Sequence, residues 1–396
     1  MADEAAPLNT APLNTAPLAN TAVPANTAPA NTAPANTAPA NTAPANTASL
    51  KTGGGQGYLR IATEEAFAPP ELMALWRDML ASGESDEPGF ASLSGFYLTS
   101  DAERPAWVRS RLADVGDLRL ADMDAAGIDR QVVSLTAPGT HVLRAADAVA
   151  MATLANDQLA AACRAHPTRF SGLTAIAPQD PVAAAKEIER GARELGFHGV
   201  IVNSHVNSEY LDNRRYWPVF EAAEAVDVPV YLHPNFPSRG LIQPLLEAGL
   251  DGAIYGFAVE TGLHLLRLIT AGVFDAFPRL RIVVGHLGEA LPFWLYRLDY
   301  MHAAGVRSGR YESMKPISRK PSEYLRSNVW VTTSGMPDPA PIMFCREVLG
   351  PEHVLYAMDY PYEYVPDEVR VQDGLPLSPA EKKAFFQGNA ETVFGL

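Results

Sequence analysis

The sequence predicts a (β/α)8 barrel of the TIM type with helical insertions, preceded by a disordered low-complexity tail. Eight short apolar segments rich in Val and Ile alternate with segments of helical periodicity. Continuous apolar runs are typical of parallel strands buried on both faces, and strands that alternate with helices form parallel βαβ units. The folded part, 58–396, also fits the roughly 200 to over 400 residues of one such barrel.

The eight predicted strands run from the start of the folded part to residue 359. They are 58–63, 131–136, 173–177, 199–203, 229–233, 281–286, 328–333 and 353–359. Helical patterns lie between them, at 149–166, 181–195, 291–302 and 378–386. The second of these begins with Pro181 and stops before Gly196, which are start and stop signals of a helix.

Two insertions lengthen the connections after the first and fifth strands, at 69–127 and 236–259. The loops that follow the strands of a barrel build its active face, so we expect both insertions to lie near the site. Packing helices away from the mouth are an equal alternative for the middle of 69–127.

The N-terminal segment has a different composition from the rest of the chain. From Ala6 to about Ser49 it repeats Ala, Pro, Asn and Thr with a period near five, without aromatic residues or charges. Such a segment cannot bury enough apolar surface to offset the entropy of ordering, and it lacks the basic start and apolar stretch of a signal peptide. We therefore predict a disordered tail and linker at 1–57 and one barrel domain at 58–396.

The net charge limits the classes of binding partner, and the cysteines indicate the cellular compartment. The chain has 31 Lys and Arg residues against 45 Asp and Glu residues, a net charge of −14, which argues against nucleic-acid or anionic-membrane partners. No run of about 20 apolar residues predicts a membrane span. Cys163 and Cys345 lie in apolar helical surroundings, so we expect free buried thiols and a reducing, cytoplasmic location.

Polar residues stand at the carboxyl ends of three predicted strands. Glu64 follows the first strand, His233 ends the fifth and Asp359 ends the eighth. Alone, each has an ordinary structural explanation, such as a hydrogen-bonding His or an Asp that caps a helix. Because these strand ends meet at one mouth in a barrel, two carboxylates and an imidazole predict one divalent metal ion with open positions. The oxygen-rich set favours Mn²⁺, with Zn²⁺ as the competitor.

A second group of polar residues surrounds this predicted metal site. His286 and Glu289 follow the sixth strand, so the carboxylate can orient the ring and raise its basicity; the alternative is that Glu289 only favours the start of a helix. Arginine can grip a carboxylate with two parallel hydrogen bonds, which makes Arg297 and Arg104 candidates, with simple ion pairs as the alternative. Tyr97 and His205 are further candidates for contact with the substrate.

These motifs together resemble the metal-dependent aromatic acid decarboxylase branch of the amidohydrolase superfamily. The likeness covers essentially all of 50–396, and its most specific segments are SGFY, RELGFHGVIVNSH, PVYLHP, VGHLGEALPFWLYRLDYMHAAGVRS and YAMDYPYEYVPDEVR.

The resemblance implies a role for each matching position. It places the metal ligands on Glu64, His233 and Asp359, the His–Glu pair on His286 and Glu289, and the arginines that bind substrate on Arg297 and Arg104. It also implies a homo-oligomer, a dimer or tetramer. The chain has Ala66 where many members have a ligand His, and Ser94 and Asn235 depart from the family pattern near the site.

The function implied by the resemblance is non-oxidative decarboxylation of an ortho-hydroxybenzoate such as 5-carboxyvanillate, which would release CO2 and vanillate in aromatic catabolism such as lignin degradation. Asp359 would deliver the proton and also bind the metal. The alternative is a hydrolase in which metal-bound water attacks a lactone or amide. A third hypothesis is a non-catalytic binding protein that works through its repeat tail.

Overall fold

The computed structural model describes residues 57–396, and parallel strands form its centre. The strands pair in the order β1-β2-β3 and β4-β5-β6-β7-β8-β9, and every pair is parallel. Their bounds are β1 Ile61–Phe67, β2 Arg130–Leu135, β3 Phe170–Gly172, β4 Thr174–Ala175, β5 Val200–Asn203, β6 Val230–His233, β7 Ile282–Val284, β8 Val329–Thr332 and β9 Val354–Leu355.

The nine strands occupy eight positions of a closed barrel. Only Leu173 separates β3 from β4, and its amide donates to the Val133 carbonyl at 2.9 Å, so the two strands form one barrel position. At the seam, the Thr63 amide donates to the Tyr356 carbonyl at 3.1 Å and the Ala66 amide to the Tyr360 carbonyl at 2.7 Å. These bonds join β1 to the segment that directly follows β9, close the ring of strands and confirm the predicted barrel.

Helices surround the barrel and fill the two insertions. The first insertion holds α1 Pro70–Ser82, α2 Gly95–Thr99, α3 Glu103–Leu112 and α4 Asp117–Ala126, with a π-helical turn at Phe90–Ser94. The other helices are α5 Ala145–Ala165, α6 Pro181–Arg190, α7 Trp217–Ala225, α8 Ile242–Ala248, α9 Gly256–Thr270, α10 Val273–Ala276, α11 His286–Glu289, α12 Leu295–Ser308, α13 Pro321–Ser327, α14 Pro339–Leu349, α15 Pro366–Asp373, α16 Pro379–Lys383 and α17 Asn389–Phe394.

Two of the predicted strand boundaries are wrong in a way that concerns the site. The first strand runs to Phe67, so Glu64 lies inside β1 rather than after its end. The last strand is only Val354–Leu355, so Asp359 lies in the following loop with φ 60°. The last strand ends early because the chain leaves regular pairing with β1 at the seam, where only the Tyr356 and Tyr360 carbonyls accept from β1 amides. On the other side of β1, its register against β2 shifts between Ala62 and Glu65.

The core strands are buried as expected, and the expectation of buried thiols holds for one of the two cysteines. The strand residues Val132, Val200 and Ile282 are fully buried inside the ring of helices. Both cysteines are free thiols, with Cys345 buried and Cys163 half-buried. Within 57–396 no helix is both long and apolar enough to cross a membrane. The predicted tail lies outside the described residues, apart from Gly57, so its disorder and the domain boundary stay predictions.

Candidate active site

A cavity of about 1000 Å³, including open solvent at its mouth, lies over the carboxyl ends of the strands. His233, His286 and Asp359 line its polar floor. The two insertions supply most of its walls, which are largely apolar: Met73, Trp76, Leu93, Tyr97, Leu98, Leu112, Phe236 and Phe257. A planar aromatic molecule with a polar edge suits a cavity with a polar floor and apolar walls.

Glu64 is buried beneath this floor, and only one of its two carboxylate oxygens accepts hydrogen bonds. Its Oε2 accepts hydrogen bonds from the hydroxyls of Tyr231, Thr332 and Ser334, of which the Thr332 bond measures 2.7 Å. Its other oxygen, Oε1, is buried and accepts no hydrogen bond. A buried carboxylate oxygen without a donor is costly, so this atom requires a cation or a proton beside it.

His233 presents a ring nitrogen to that oxygen. Its Nδ1 lies 2.7 Å from the carbonyl oxygen of Pro234, which can only accept, so Nδ1 carries the proton. In the neutral ring Nε2 then carries a lone pair, and this atom lies 3.5 Å from Glu64 Oε1. Two electron-rich atoms that face each other in this way favour a cation between them.

His286 and Glu289 lie on a strained turn. Five consecutive residues, His286 to Ala290, have φ between 51° and 76°, a left-handed conformation that costs roughly 1–2 kcal/mol for each residue other than Gly. The turn brings Nδ1 of His286 to 2.8 Å from Oε1 of Glu289, which confirms that the two side chains pair. Strain of this kind collects at functional sites, where the surrounding structure holds it in place.

The second nitrogen of His286 points to the same centre as His233. Its Nε2 lies 3.9 Å from Glu64 Oε1 and 3.8 Å from Asp359 Oδ2. Burial opposes a charge on His286, but Glu289 and Glu64 outweigh burial and raise the pKa of His286 well above its ordinary value. Likewise burial would raise the pKa of Glu64, yet His286, His233 and the hydroxyls hold that pKa below its ordinary value.

Three of these side chains, Glu64, His233 and Asp359, offer the oxygen and nitrogen donors of a divalent metal site, and His286 lies beside them. Within 57–396 no three His, Cys, Asp or Glu side chains already form a complete ligand set. Ligand atoms about 2.1 Å from a small octahedral dication lie about 3 Å apart, so the 3.5 Å between Glu64 Oε1 and His233 Nε2 would need to close by only about 0.5 Å. The unpartnered oxygen of Glu64 and the chemistry of the set therefore agree with the predicted metal centre.

Of the remaining predicted residues, some line the cavity and others do not. Tyr97 lines the cavity, where its ring packs edge-on against Tyr362 at 5.2 Å between centroids. Arg104 lies at the rim: its guanidinium stacks on Trp107 at 4.8 Å and donates to the carbonyls of Pro361 and Tyr362 in the loop that carries Asp359. Arg104 is thus tied to the site without lining it.

Arg297 lies elsewhere in the structure. It is exposed on α12 and is not part of the cavity lining of its own chain, so the structure does not bring it to the predicted site. Arg109 on α3 lines the cavity instead. Its Nη1 donates to the carbonyls of Tyr97 and Ser100, at 2.6 and 2.8 Å. The sequence offered no signal for Arg109, because periodicity does not say which way an inserted helix faces.

The two positions that depart from the family pattern both reach the cavity. Ser94 and Asn235 lie in its lining. Asn235 accepts from the Phe236 amide at 2.9 Å through Oδ1 and donates to the Asn203 carbonyl at 3.4 Å through Nδ2. Both residues therefore lie where they can affect which ring substituents fit.

His205 is not a substrate-binding residue. The side chain is buried, Nε2 lies 3.0 Å from the Phe236 carbonyl, and Nδ1 accepts from the Ser208 amide at 3.0 Å. Both ring nitrogens are therefore occupied, and the residue does not line the cavity. The prediction is wrong because the chain turns back at Ser208 and covers the ring.

The buried His205 should make the protein sensitive to acid. Burial lowers the pKa of His205 from 6.5 to about 4. As pH falls the unfolded chain takes up the proton first, so the contribution of His205 to stability is complete above pH 6.5 and is lost between pH 6.5 and 4. The loss would be about 3 kcal/mol. Thermal melts across this range should show a shallower pH dependence for His205→Gln than for the parent; identical slopes would contradict the assignment.

The chain is similar to known proteins over most of its length. The family model described as Amidohydrolase matches residues 101–396. A gamma-resorcylate decarboxylase of Polaromonas sp. (strain JS666 / ATCC BAA-500) is 35% identical over 346 residues, which cover 85% of this chain and 98% of that protein.

Two solved structures are similar as well. The 5-carboxyvanillate decarboxylase of Novosphingobium aromaticivorans, complexed with manganese and 4-hydroxy-3-methoxy-5-nitrobenzoic acid, is 55% identical with a TM-score of 0.86, covering 88% of this chain and 99% of that one. The 5-carboxyvanillate decarboxylase LigW of Sphingomonas paucimobilis is 40% identical with a TM-score of 0.80, covering 86% and 99%. With its barrel, its floor of carboxylates and imidazoles and these matches, the chain belongs to the amidohydrolase family.

Proposed function

We propose that this protein is a carboxy-lyase that decarboxylates an ortho-hydroxybenzoate such as 5-carboxyvanillate without oxidation, with one Mn²⁺ ion as cofactor. The observation that carries the proposal is the unpartnered Oε1 of Glu64, which faces the Nε2 atoms of His233 and His286. Relatives that are named decarboxylases, one of them solved with manganese and a nitro analogue of a hydroxybenzoate, support decarboxylation over hydrolysis.

The proposed residues have separate tasks. Glu64, His233 and Asp359 would hold the metal ion, which supplies Lewis-acid stabilisation to the substrate oxygens. Asp359 would take up the proton that the substrate's hydroxyl gives up on binding and transfer it to the ring carbon that bears the carboxylate. The new C–H bond interrupts aromaticity; the C–C bond to the carboxylate then breaks, CO2 leaves, and its electron pair restores the ring. Asp359 lies on the cavity wall with Oδ2 directed to His286, so it can reach both the metal and the substrate.

His286 and the arginines would orient the substrate. Glu289 holds Nδ1 of His286, which leaves Nε2 directed at the cavity to hold the substrate's hydroxyl oxygen. Arg109 lines the cavity and uses only Nη1 in its two hydrogen bonds to the protein, which favours Arg109 as partner of a second carboxylate. Arg104 would keep the Asp359 loop in place from the rim, and Tyr97 would pack against the ring.

The test is a substrate panel with Mn²⁺-loaded protein. We expect CO2 release from 5-carboxyvanillate and from other benzoates with a hydroxyl next to the carboxylate, and none from the matching benzoates in which that hydroxyl is absent or methylated. Hydrolysis of aromatic lactones or amides at comparable kcat/KM, without CO2 release from any benzoate, would overturn the proposal in favour of the hydrolase.

Glu289→Gln should lower kcat roughly 10–100-fold, the usual cost of losing a partner that orients a functional imidazole. The neutral amide no longer stabilises a charge on His286 and can turn its NH2 toward Nδ1. Steady-state kinetics would measure the effect. Asp212→Asn is the control, since Asp212 pairs with Arg267 outside the cavity. Equal activity of the two variants would contradict the role of Glu289.

We also propose a homo-oligomer, a dimer or tetramer, in the cytoplasm. Aromatic residues crowd the outer face of α12 and the turn before it: Tyr296 is 81% exposed, Phe293 73% and Tyr300 57%. A contiguous apolar face of this kind is typical of a subunit contact. Arg297 lies on the same helix, so any role it has in substrate binding would be in the site of a neighbouring subunit.

The oligomer can be tested by sedimentation velocity. Tyr296→Glu should produce a smaller species than the parent, because a buried carboxylate at the contact would lack a partner. The control is Val182→Glu on α6, where a single apolar side chain is 61% exposed. A parent chain that sediments as a monomer would contradict the proposal.

A further inference from the structure

The loop that carries Asp359 departs from the barrel at the seam. The carbonyls of Tyr356 and Tyr360 are bonded to the main chain of β1, at Thr63 and Ala66. Between these two anchors the chain bulges away from β1, and Asp359 has a left-handed φ of 60°. Because the backbone of β1 cannot reach the amides in the bulge, they need other partners in this buried region.

Glu65 supplies those partners. Its side chain is fully buried; Oε1 accepts from the Met358 amide at 3.0 Å and Oε2 from the Tyr360 amide at 3.2 Å. One carboxyl group therefore binds the amides of the residues on both sides of Asp359. The side chain of Glu65 thus replaces the backbone hydrogen bonds that β1 would make to a regular neighbouring strand.

A buried chain of polar groups fixes Glu65 in turn. Gln131 donates to Oε2 of Glu65 at 3.2 Å, and Arg119 donates to Oε1 of Gln131 at 3.1 Å. The Arg119 guanidinium also donates to the Ala66 carbonyl at 2.6 Å and stacks on the Tyr360 ring at 4.7 Å. This series of hydrogen bonds places the positive charge of Arg119 near Glu65. Its first and last members, Glu65 and Arg119, both contact the seam.

We propose that Glu65 is a positioning residue that holds Asp359 in the left-handed conformation from which it binds the metal ion and reaches the substrate. Two neighbouring residues of β1 then support the same metal site. Glu64 would bind the metal ion directly, and Glu65 would hold the backbone around a second ligand, Asp359. This inference rests on the proposed metal site and extends it to a residue that touches neither metal nor substrate.

Mn²⁺ affinity, measured by titration calorimetry, tests the proposal in a double-mutant cycle. Glu65→Gln places an NH2 group where an amide N–H needs an acceptor, so we expect Mn²⁺ to bind roughly 10–100-fold more weakly. Asp359→Asn alone should also weaken binding. If Glu65 acts only through Asp359, Glu65→Gln should cause no further loss in the Asp359→Asn background. We also expect kcat of Glu65→Gln to fall far more than KM rises.

Glu260→Gln is the matched control. Glu260 is as buried as Glu65 and accepts from the Ser204 and Tyr210 hydroxyls and the Ser238 amide, but contacts neither Asp359 nor Glu64. It should lower the melting temperature without a change in Mn²⁺ affinity. If Glu65→Gln does not fold, Glu65→Asp keeps the carboxyl group but is one methylene too short to reach both amides, and the same cycle applies.

The outcomes are distinguishable. Wild-type Mn²⁺ affinity in the Glu65 variants, or a full additional loss in the Asp359→Asn background, would overturn the positioning role while the metal site stands. Unchanged affinity in Asp359→Asn alone would overturn the metal site, and the role of Glu65 with it.

Discussion

Asp359→Asn is expected to lower kcat by at least roughly 10²–10⁴-fold, the usual contribution of a positioned proton donor. An amide cannot deliver a proton to the ring carbon, and it is a weaker ligand than a carboxylate. Asp359 lies in the cavity with Oδ2 3.8 Å from His286 Nε2, so its replacement removes charge from the centre of the site. Single-turnover kinetics at saturating Mn²⁺ would separate the loss of proton transfer from the loss of metal.

Glu363→Gln provides the comparison for this variant. Glu363 lines the same cavity four residues later, and burial together with the nearby Asp359 raises its pKa above the ordinary value. Removing its charge should cost much less than the Asp359 substitution, since Glu363 is not part of the converging set of ligands. Retained turnover in Asp359→Asn would show that another group delivers the proton.

Glu64→Gln is expected to abolish tight binding of Mn²⁺, with affinity lower by more than about 100-fold. Loss of a group that merely orients a ligand already costs 10–100-fold, and Glu64 would be a ligand itself. Three hydroxyls donate to its Oε2, so the amide oxygen of Gln would stay with them and its NH2 would face His233 and His286. A donor in that place repels a cation.

Titration calorimetry with Mn²⁺ measures this loss directly. Thr332→Val is the graded control, because it removes one of the three hydroxyls and leaves the charge in place. It should weaken binding far less than Glu64→Gln. Near-parental affinity in Glu64→Gln would mean that the unpartnered Oε1 does not face a metal ion.

The residues that meet in the site were predictable because barrel topology places strand ends together. Glu64, His233 and Asp359 are far apart in sequence, yet parallel strands bring their ends to one mouth. The pairing of His286 with Glu289 was also predictable from their spacing. The backbone conformation of this segment was not predictable. A left-handed turn over five residues has no sequence signature except Gly288, so the surrounding structure must impose it.

Other residues lay beyond sequence reasoning for physical reasons. His205 follows a strand as His233 does, but a local turn occupies both of its nitrogens. Arg104 and Arg109 lie on one inserted helix, and only the packing of α3 decides which of them faces the cavity. Glu65 was not among the predicted site residues, because alternation along β1 sends its side chain to the seam and away from the metal centre.

Product analysis in isotopically labelled water tests the central claim most directly. In D2O, decarboxylation by the Mn²⁺-loaded protein should place one deuterium on the ring carbon that lost its carboxylate, with one CO2 released for each product molecule. In H2¹⁸O, the aromatic product should contain no ¹⁸O. Incorporation of ¹⁸O into the aromatic product, without ring deuteration or CO2, would contradict decarboxylation and favour hydrolysis.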